Sequence, residues 1–169
     1  MNKLKIRLCG DLILREKCDL VADITPELRM TLDEMVNIMN GQQGVGLAAP
    51  QVGVLQRFLV MTNPDDKQVF KMINPAILVR SEKMRTMEEG CMSLLGNDGL
   101  PVYANVSRPE SVEVGWTDEN GHDMRALMSG YPARIVQHEI DHLDGVLFID
   151  YLSPIRREML MRKVKRYKK

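Results

Sequence analysis

The sequence contains no apolar run approaching the roughly 18 residues that a membrane-spanning helix needs. It has no charge imbalance either: the formal net charge is zero, which removes the broad basic field of a general nucleic-acid binder. Internal repeats and low-complexity stretches are absent. The opening residues, Met1-Asn2-Lys3-Leu4-Lys5-Ile6-Arg7, are interrupted by charge too soon to make the apolar segment of a secretory signal. Cysteine is sparse and odd in number, at three, which without such a signal fits free thiols in a reducing cytoplasm. At 169 residues the chain is expected to form one domain over 1–169, long enough to bury about two-thirds of its unfolded surface.

Two of the three histidines fall together in His138-Glu139-Ile140-Asp141-His142. An α-helix turns by about 100° per residue, so side chains four apart return to one face and both imidazoles can reach a single divalent ion. Glu139 then sits beside the position the ion leaves open. This is the pattern of a hydrolytic metal site, in which the ion polarises a carbonyl and acidifies water while a carboxylate moves the proton. The bland alternative is a helix with two solvent-facing histidines.

The third ligand is narrowed by exclusion. The pattern His-Glu-x-x-His-x-x-Gly-x-x-His has its glycine at Gly145, but the position due to hold the last histidine is Phe148. The remaining histidine, His122, follows Asn120-Gly121, a strong hairpin-turn signal, and reads as a solvated surface residue. The only glutamate after His142 is Glu158, which lies in a basic segment expected to be exposed. Cys9 and Cys18 lie among Leu and Ile residues and read as small buried hydrophobes. Cys91 differs, because in Glu88-Glu89-Gly90-Cys91-Met92-Ser93 it follows a glycine that permits close backbone approach and belongs to no apolar stripe. As a thiolate it would complete a Cys/His/His set with one position left for water; as a structural residue it would be another buried thiol. Upstream, Gly44-Val45-Gly46-Leu47-Ala48-Ala49-Pro50-Gln51 describes a backbone that something approaches closely, without the Lys-Ser/Thr of a phosphate loop or an acidic ribose partner. Read alone, it is equally a helix-to-strand turn.

Gly44 to Gln51, Glu89 to Ser93 and Gln137 to Gly145 occur in the order and at the approximate spacing of the peptide deformylases, and the whole chain resembles that family. The resemblance implies that Cys91, His138 and His142 bind a metal and that Glu139 is the general acid/base. It implies that Gln51 and the backbone N–H of Met92 hydrogen-bond the developing oxyanion, that Val45 and Gly46 lie along the substrate cleft, and that Glu89 and Arg108 form a supporting ion pair under the cysteine segment. Gln137 and Asp141 match residues that orient ligands or pack the helix. The implied reaction removes the formyl group from the N-terminal formyl-methionine of nascent polypeptides and releases formate. The implied cofactor is one divalent ion. Fe(II) is favoured on family grounds, with Zn(II), Ni(II) and Co(II) as alternatives, because Cys/His/His also suits zinc and affinity order alone does not decide occupancy.

The chain departs from the family pattern in two places. Met92 stands where many members have Leu, and Leu94-Leu95-Gly96-Asn97 replaces a proline-containing segment. The run from Cys91 to Arg108 is longer than in the shortest bacterial members and holds no arginine to match one that contacts substrate in some relatives. These departures bear on peptide selectivity rather than on metal chemistry.

Periodicity predicts a helix from about Pro26 to Asn40, capped by Thr25 and ended by Gly41, with Leu28, Leu32, Met35, Val36 and Met39 on one face. Strands are expected at Arg57–Thr62, Val69–Ile73, Ala76–Arg80, Ser111–Trp116 and Asp123–Met128, the last two flanking the Asn-Gly turn. The metal helix should start after Gly130 and stop near Gly145, burying Ala133, Val136, Ile140 and Leu143. The expected architecture is α+β, with antiparallel or mixed strands around a central metal-binding helix and helices towards both ends. Pro154 to Lys169 has eight Lys/Arg against one acid, leaving −7 on the rest of the neutral chain, and a thin apolar stripe of Ile155, Met159 and Val164. It reads either as a helix that docks on ribosomal RNA, which the resemblance also suggests, or as a solvated helix packed by that stripe. Most of the thirteen methionines read as core filler, Met92 alone adjoining the expected site. Readings from other classes are an inactive relative that binds formylated N-termini and a metal- or redox-sensing protein using Cys91; a general endopeptidase is disfavoured because no third His or Glu fits.

Overall fold

The computed structural model describes residues 4–164. Helix α1 runs from Pro26 to Gly41, where Thr25 accepts a hydrogen bond from Leu28 N and Pro26 takes the first-turn position that lacks an N–H requirement. A five-stranded antiparallel sheet follows in the order β1-β2-β3-β6-β7, built from Gly46–Ala48, Phe58–Thr62, Val69–Arg80, Ser111–Thr117 and Asp123–Ser129. Between β3 and β6 the chain leaves this sheet to form a separate antiparallel hairpin, β4 (Met84–Leu95) with β5 (Pro101–Pro109). Helix α2 spans Gly130–Leu143 and helix α3 spans Pro154–Met161.

Strand β2 is buried on both sides, and its alternation decides the layering. Phe58 and Val60 pack with Leu28, Leu32, Met35 and Met39 of α1, while Leu59 and Met61 pack with Ala133, Val136, Ile140 and Leu143 of α2. The metal-motif helix is therefore central, pressed on the sheet by the four residues its pattern marks as apolar. A third cluster, around Cys91, Leu94, Val106 and Phe148, joins the hairpin to the segment that follows α2.

The structure alters three expectations. Val69–Arg80 is one strand rather than two: register shifts at Ile73/Ala76 and Ile77/Val79 absorb the Asn74-Pro75 interruption. Asn74, at φ 52°, hydrogen-bonds the backbone of Val21 with both ends of its amide. Strands β4 and β5 were not marked as a hairpin by pattern because the inward positions of one face carry Glu89 and Arg108 instead of apolar residues. Helix α3 ends at Met161, Ile155 and Met159 are exposed, and buried Val164 bridges Gly96 instead of continuing a helical stripe. The remainder of that basic segment, 165–169, lies outside the described residues.

Candidate metal centre

The ligand atoms of Cys91, His138 and His142 lie within 4.8 Å of one another, and all three residues are buried. The histidines arrive there because α2 stacks them one turn apart, with ring centroids 5.1 Å apart. Cys91 arrives there because β4 breaks register with β5 between Gly90 and Leu95, which turns the Cys91-to-Leu94 stretch away from its partner strand. Cys91 Sγ lies 3.2 Å from His142 Nε2. His138 Nδ1 is 2.9 Å from Glu89 Oε2, so its other nitrogen faces the thiol, and its ring stacks on Phe148.

Burial disfavours charge on both imidazoles, but hydrogen bonds with Cys91 and Glu89 leave His138 well above the usual histidine range. His142 is driven well below that range by burial and by the neighbouring charge of His138. The site thus holds on to one proton in a place where a divalent cation could replace it. Of the four buried side-chain atoms without a hydrogen-bond partner among the described residues, two belong to this site, Glu139 Oε2 and His142 Nδ1. A sulfur and two imidazole nitrogens, converging in a buried pocket beside a carboxylate oxygen with nothing to bond, fit a single cation with one position left for a small ligand.

Glu139 is held beside the ligands by glycine. A Cβ at Gly46 would meet Glu139 Cδ and Cγ at 2.8 Å, so strand β1 can lie against α2 at this point only without a side chain. What approaches the Gly-Val-Gly backbone is therefore the Glu139 carboxylate on one glycine and Met92 on the other, whose Sδ would be 3.0 Å from a Cβ at Gly44. Burial raises the Glu139 carboxyl to about 7, opposed by His138. A group titrating there can both accept and return a proton near neutrality.

Gln51 closes the other side. Its Oε1 accepts from Ala48 N at 2.8 Å, which fixes the amide so that Nε2 donates towards Ser93 Oγ at 3.2 Å and Cys91 Sγ at 3.4 Å. The extended N-terminal stretch ties these two parts together, with Arg7 N donating to Gln51 O and Cys9 N to Ser93 O, both at 2.7 Å. Val45, Gly46, Gln51, Met92, His138 and Glu139 share a cleft of about 640 Å³.

Below the ligands lies a buried ionic cluster. Glu89 receives Arg108 Nε at 2.6 Å and Nη2 at 3.0 Å, Arg134 Nη1 at 2.7 Å, and pairs with His138. Burial opposes the charge on Glu89, yet His138 and Arg108 hold its carboxyl far below the usual carboxylate range. Asp141 binds Arg108 Nη1 at 2.6 Å, and Tyr151 donates to Asp141 while its ring lies 4.5 Å from the guanidinium carbon. Gln137 stands apart from the cation position and fastens α2 to Pro109 O. Arg134 and Ser93 were not singled out from sequence. For Arg134 a signal existed: it precedes His138 by four residues and so lies on the ligand face of α2.

The excluded candidates fall elsewhere. His122 is exposed in its turn beside Asp118, Glu158 pairs with Arg162 on the surface of α3, and Cys9 and Cys18 are buried.

A family model described as polypeptide deformylase matches residues 3–158. A peptide deformylase of Endomicrobium trichonymphae is 44% identical over 170 residues, which is 100% of this chain and 98% of that protein. The crystal structure of peptide deformylase from Thermotoga maritima superposes with a TM-score of 0.82 at 37% identity, covering 91% of this chain and 100% of that one. A peptide deformylase from Synechococcus elongatus in complex with actinonin superposes with a TM-score of 0.86 at 38% identity over 96% of this chain and 87% of that one.

Proposed function

Because the chain belongs to the peptide deformylase family, whose activity is metal-dependent removal of the N-formyl group from new polypeptides, we infer that Cys91, His138 and His142 hold its metal ion. The convergence of those three ligands beside the partnerless Glu139 oxygen is the observation that carries this reading. The whole chain acts as one catalytic domain. When bound, the ion supplies Lewis-acid polarisation of the formyl carbonyl and acidification of water. Glu139 takes the proton of the attacking water and returns it to the departing amine, a role suited to its raised pKa of about 7. The Gln51 amide, oriented by Ala48, and the Met92 N–H donate to the oxygen that becomes negative. Val45 and Gly46 border the extended substrate, while Glu89, Arg108 and Arg134 keep the His138 ring turned to the thiol.

The substrate is the formyl-methionyl end of a nascent chain. The ion is Fe(II), a choice that follows family chemistry rather than ligand softness. Iron-loaded, anaerobically purified protein should release formate from formyl-Met-Ala-Ser, and metal analysis of the same preparation should find about one equivalent of iron, the occupancy a three-ligand site allows. Cys91→Ser should lose metal; full metal content with full activity would remove the ligand assignment.

No described helix is long and apolar enough to cross a membrane. The place of action that goes with this substrate is the cytoplasm, at the ribosome, where Arg156, Arg157, Arg162 and Lys163 would face RNA phosphates. Deleting the tail would also remove buried Val164, so Arg156→Glu with Lys163→Glu is the cleaner variant. Ribosome co-sedimentation unaffected by that pair would end the docking idea.

A further inference from the structure

The turn that joins β4 to β5 is held from behind by the far end of the chain. Leu95 and Pro101 form the last register pair of the hairpin, so residues 96–100 make the turn. Within it Gly96 N donates to Leu100 O at 2.7 Å, Gly99 N to Gly96 O at 3.0 Å, and Leu100 N to Asp98 Oδ1 at 3.0 Å. These residues include two glycines and no proline, and Leu100 is 65% exposed, so local chemistry leaves the turn easy to deform. Leu95, Gly99, Leu100 and Pro101 line the cleft that holds His138 and Glu139. Successive strand residues point to opposite faces, and Leu94 is buried on the other side, in the cluster that contains Cys91 and Val164.

Val164 reaches that side from the C-terminal segment. Helix α3 ends at Met161, Lys163 N turns back onto Leu160 O at 2.9 Å, and Val164 then forms an antiparallel bridge with Gly96. Its side chain is buried, and from Pro154 to Val164 no other residue is. The described part of this segment therefore has a single deep anchor, and that anchor sits behind the rim of the cleft.

We propose that Val164 is a positioning residue for substrate binding: by pinning the C-terminal segment to Gly96, it holds the 96–100 turn in the shape that receives the peptide. What the cleft receives rests on the deformylation reading above. Val164 acts through the turn, since it packs in the cluster of Leu94 and Cys91 and does not line the cleft. A turn free to sample several shapes must be ordered each time a peptide binds, which weakens affinity; a tether orders it beforehand. The effect falls on binding rather than on bond breaking, because α2 carries His138, His142 and Glu139, and Ala48 N fixes the Gln51 amide.

The test uses the iron-loaded full chain. Val164→Asp should raise KM for formyl-Met-Ala-Ser about three- to tenfold and leave kcat within about twofold of wild type. Val164→Ala should move KM the same way by about twofold, which keeps the comparison open should the aspartate variant not fold. Val164→Ile should retain the wild-type KM, since an apolar β-branched side chain refills the anchor. Amide exchange at Gly96, Gly99 and Leu100 should quicken about tenfold or more in Val164→Asp while α1 keeps its protection. An unchanged KM, or unchanged exchange at the turn, overturns the role. So does a fall in kcat and iron content in place of the KM change, which would make Val164 a support for Cys91 alone. Absence of formate release by wild type would instead overturn the reaction assignment. In that event calorimetric dissociation constants for acetyl-Met-Ala-Ser decide the matter: weaker binding by Val164→Asp upholds the role, and equal binding ends it.

Discussion

Helices α2 and α3 both carry arginine and acidic residues, and the protein uses them in opposite ways. Ten of the fourteen residues of α2 are buried, among them Arg134, Gln137, His138 and Glu139. No residue of the eight in α3 is buried, and its Glu158 meets Arg162 in a pair about 70% exposed on both sides, at 68% and 75%. The same Glu–Arg chemistry therefore appears once as a dry cluster beneath a metal site and once as a surface contact. Where water is excluded, an unmatched charge is costly, so every member of the cluster fixes the orientation of its neighbours. Where water is present, the pair constrains almost nothing.

The largest effect that would sharpen this contrast is on turnover. Glu139→Ala should lower kcat for formyl-Met-Ala-Ser by on the order of 10² to 10⁴. Metal content should persist, because the three ligands are untouched; equal rates for variant and wild type would refute the proton-transfer role. Next in size is stability. Glu89→Ala leaves Arg134 buried without a carboxylate and should cost about 3–5 kcal/mol in urea unfolding. A loss below 1 kcal/mol would mean that water reaches the cluster and that the two helices are less different than they look.

A third prediction concerns pH. Burial raises Glu139 from 4.5 to about 7, so the folded chain binds that proton more tightly than the unfolded one. The associated stability is fully present below pH 4.5 and is lost as pH rises through about 7. Metal-stripped protein should show this decline in thermal melts, and Glu139→Gln should flatten it. The smallest effect belongs to α3, where Glu158→Ala should change unfolding free energy by less than about 0.5 kcal/mol. A larger loss would show that the exposed helix is held by its ion pair after all.

Much of the site could be read in the chain because its chemistry rests on local spacing. His138 and His142 declare themselves through helical period alone, and Thr25-Pro26 and Asn120-Gly121 mark a helix start and a turn through short-range rules. Other features depend on distant partners and left weaker traces. The β4–β5 hairpin hides because Glu89 and Arg108 sit where an inward apolar alternation would be, and they are tolerated only because Arg134, His138 and Asp141 arrive from α2. Asn74-Pro75 does not break β3 after Ile73, since a bulge and two side-chain bonds to Val21 carry the strand through. Helix α3 stops at Met161, short of Val164 on its apolar stripe, because a thin stripe cannot specify whether it will find a partner. Val164 found one, but in an extended bridge to Gly96.

The ligand and its neighbours come from far apart along the chain: 51 residues separate Cys91 from His142, 49 separate Glu89 from His138, and 40 separate Gln51 from Cys91. Contacts of such long sequence separation are slow to close, so the centre should be among the last parts of the molecule to form during refolding, well after α1. The hydrogen bond from Cys18 N to Leu143 O at 2.9 Å makes the same demand. A chain interrupted just before residue 138 would already contain the thiol, the amide and both glycines, but neither imidazole and not the carboxylate that lies against Gly46.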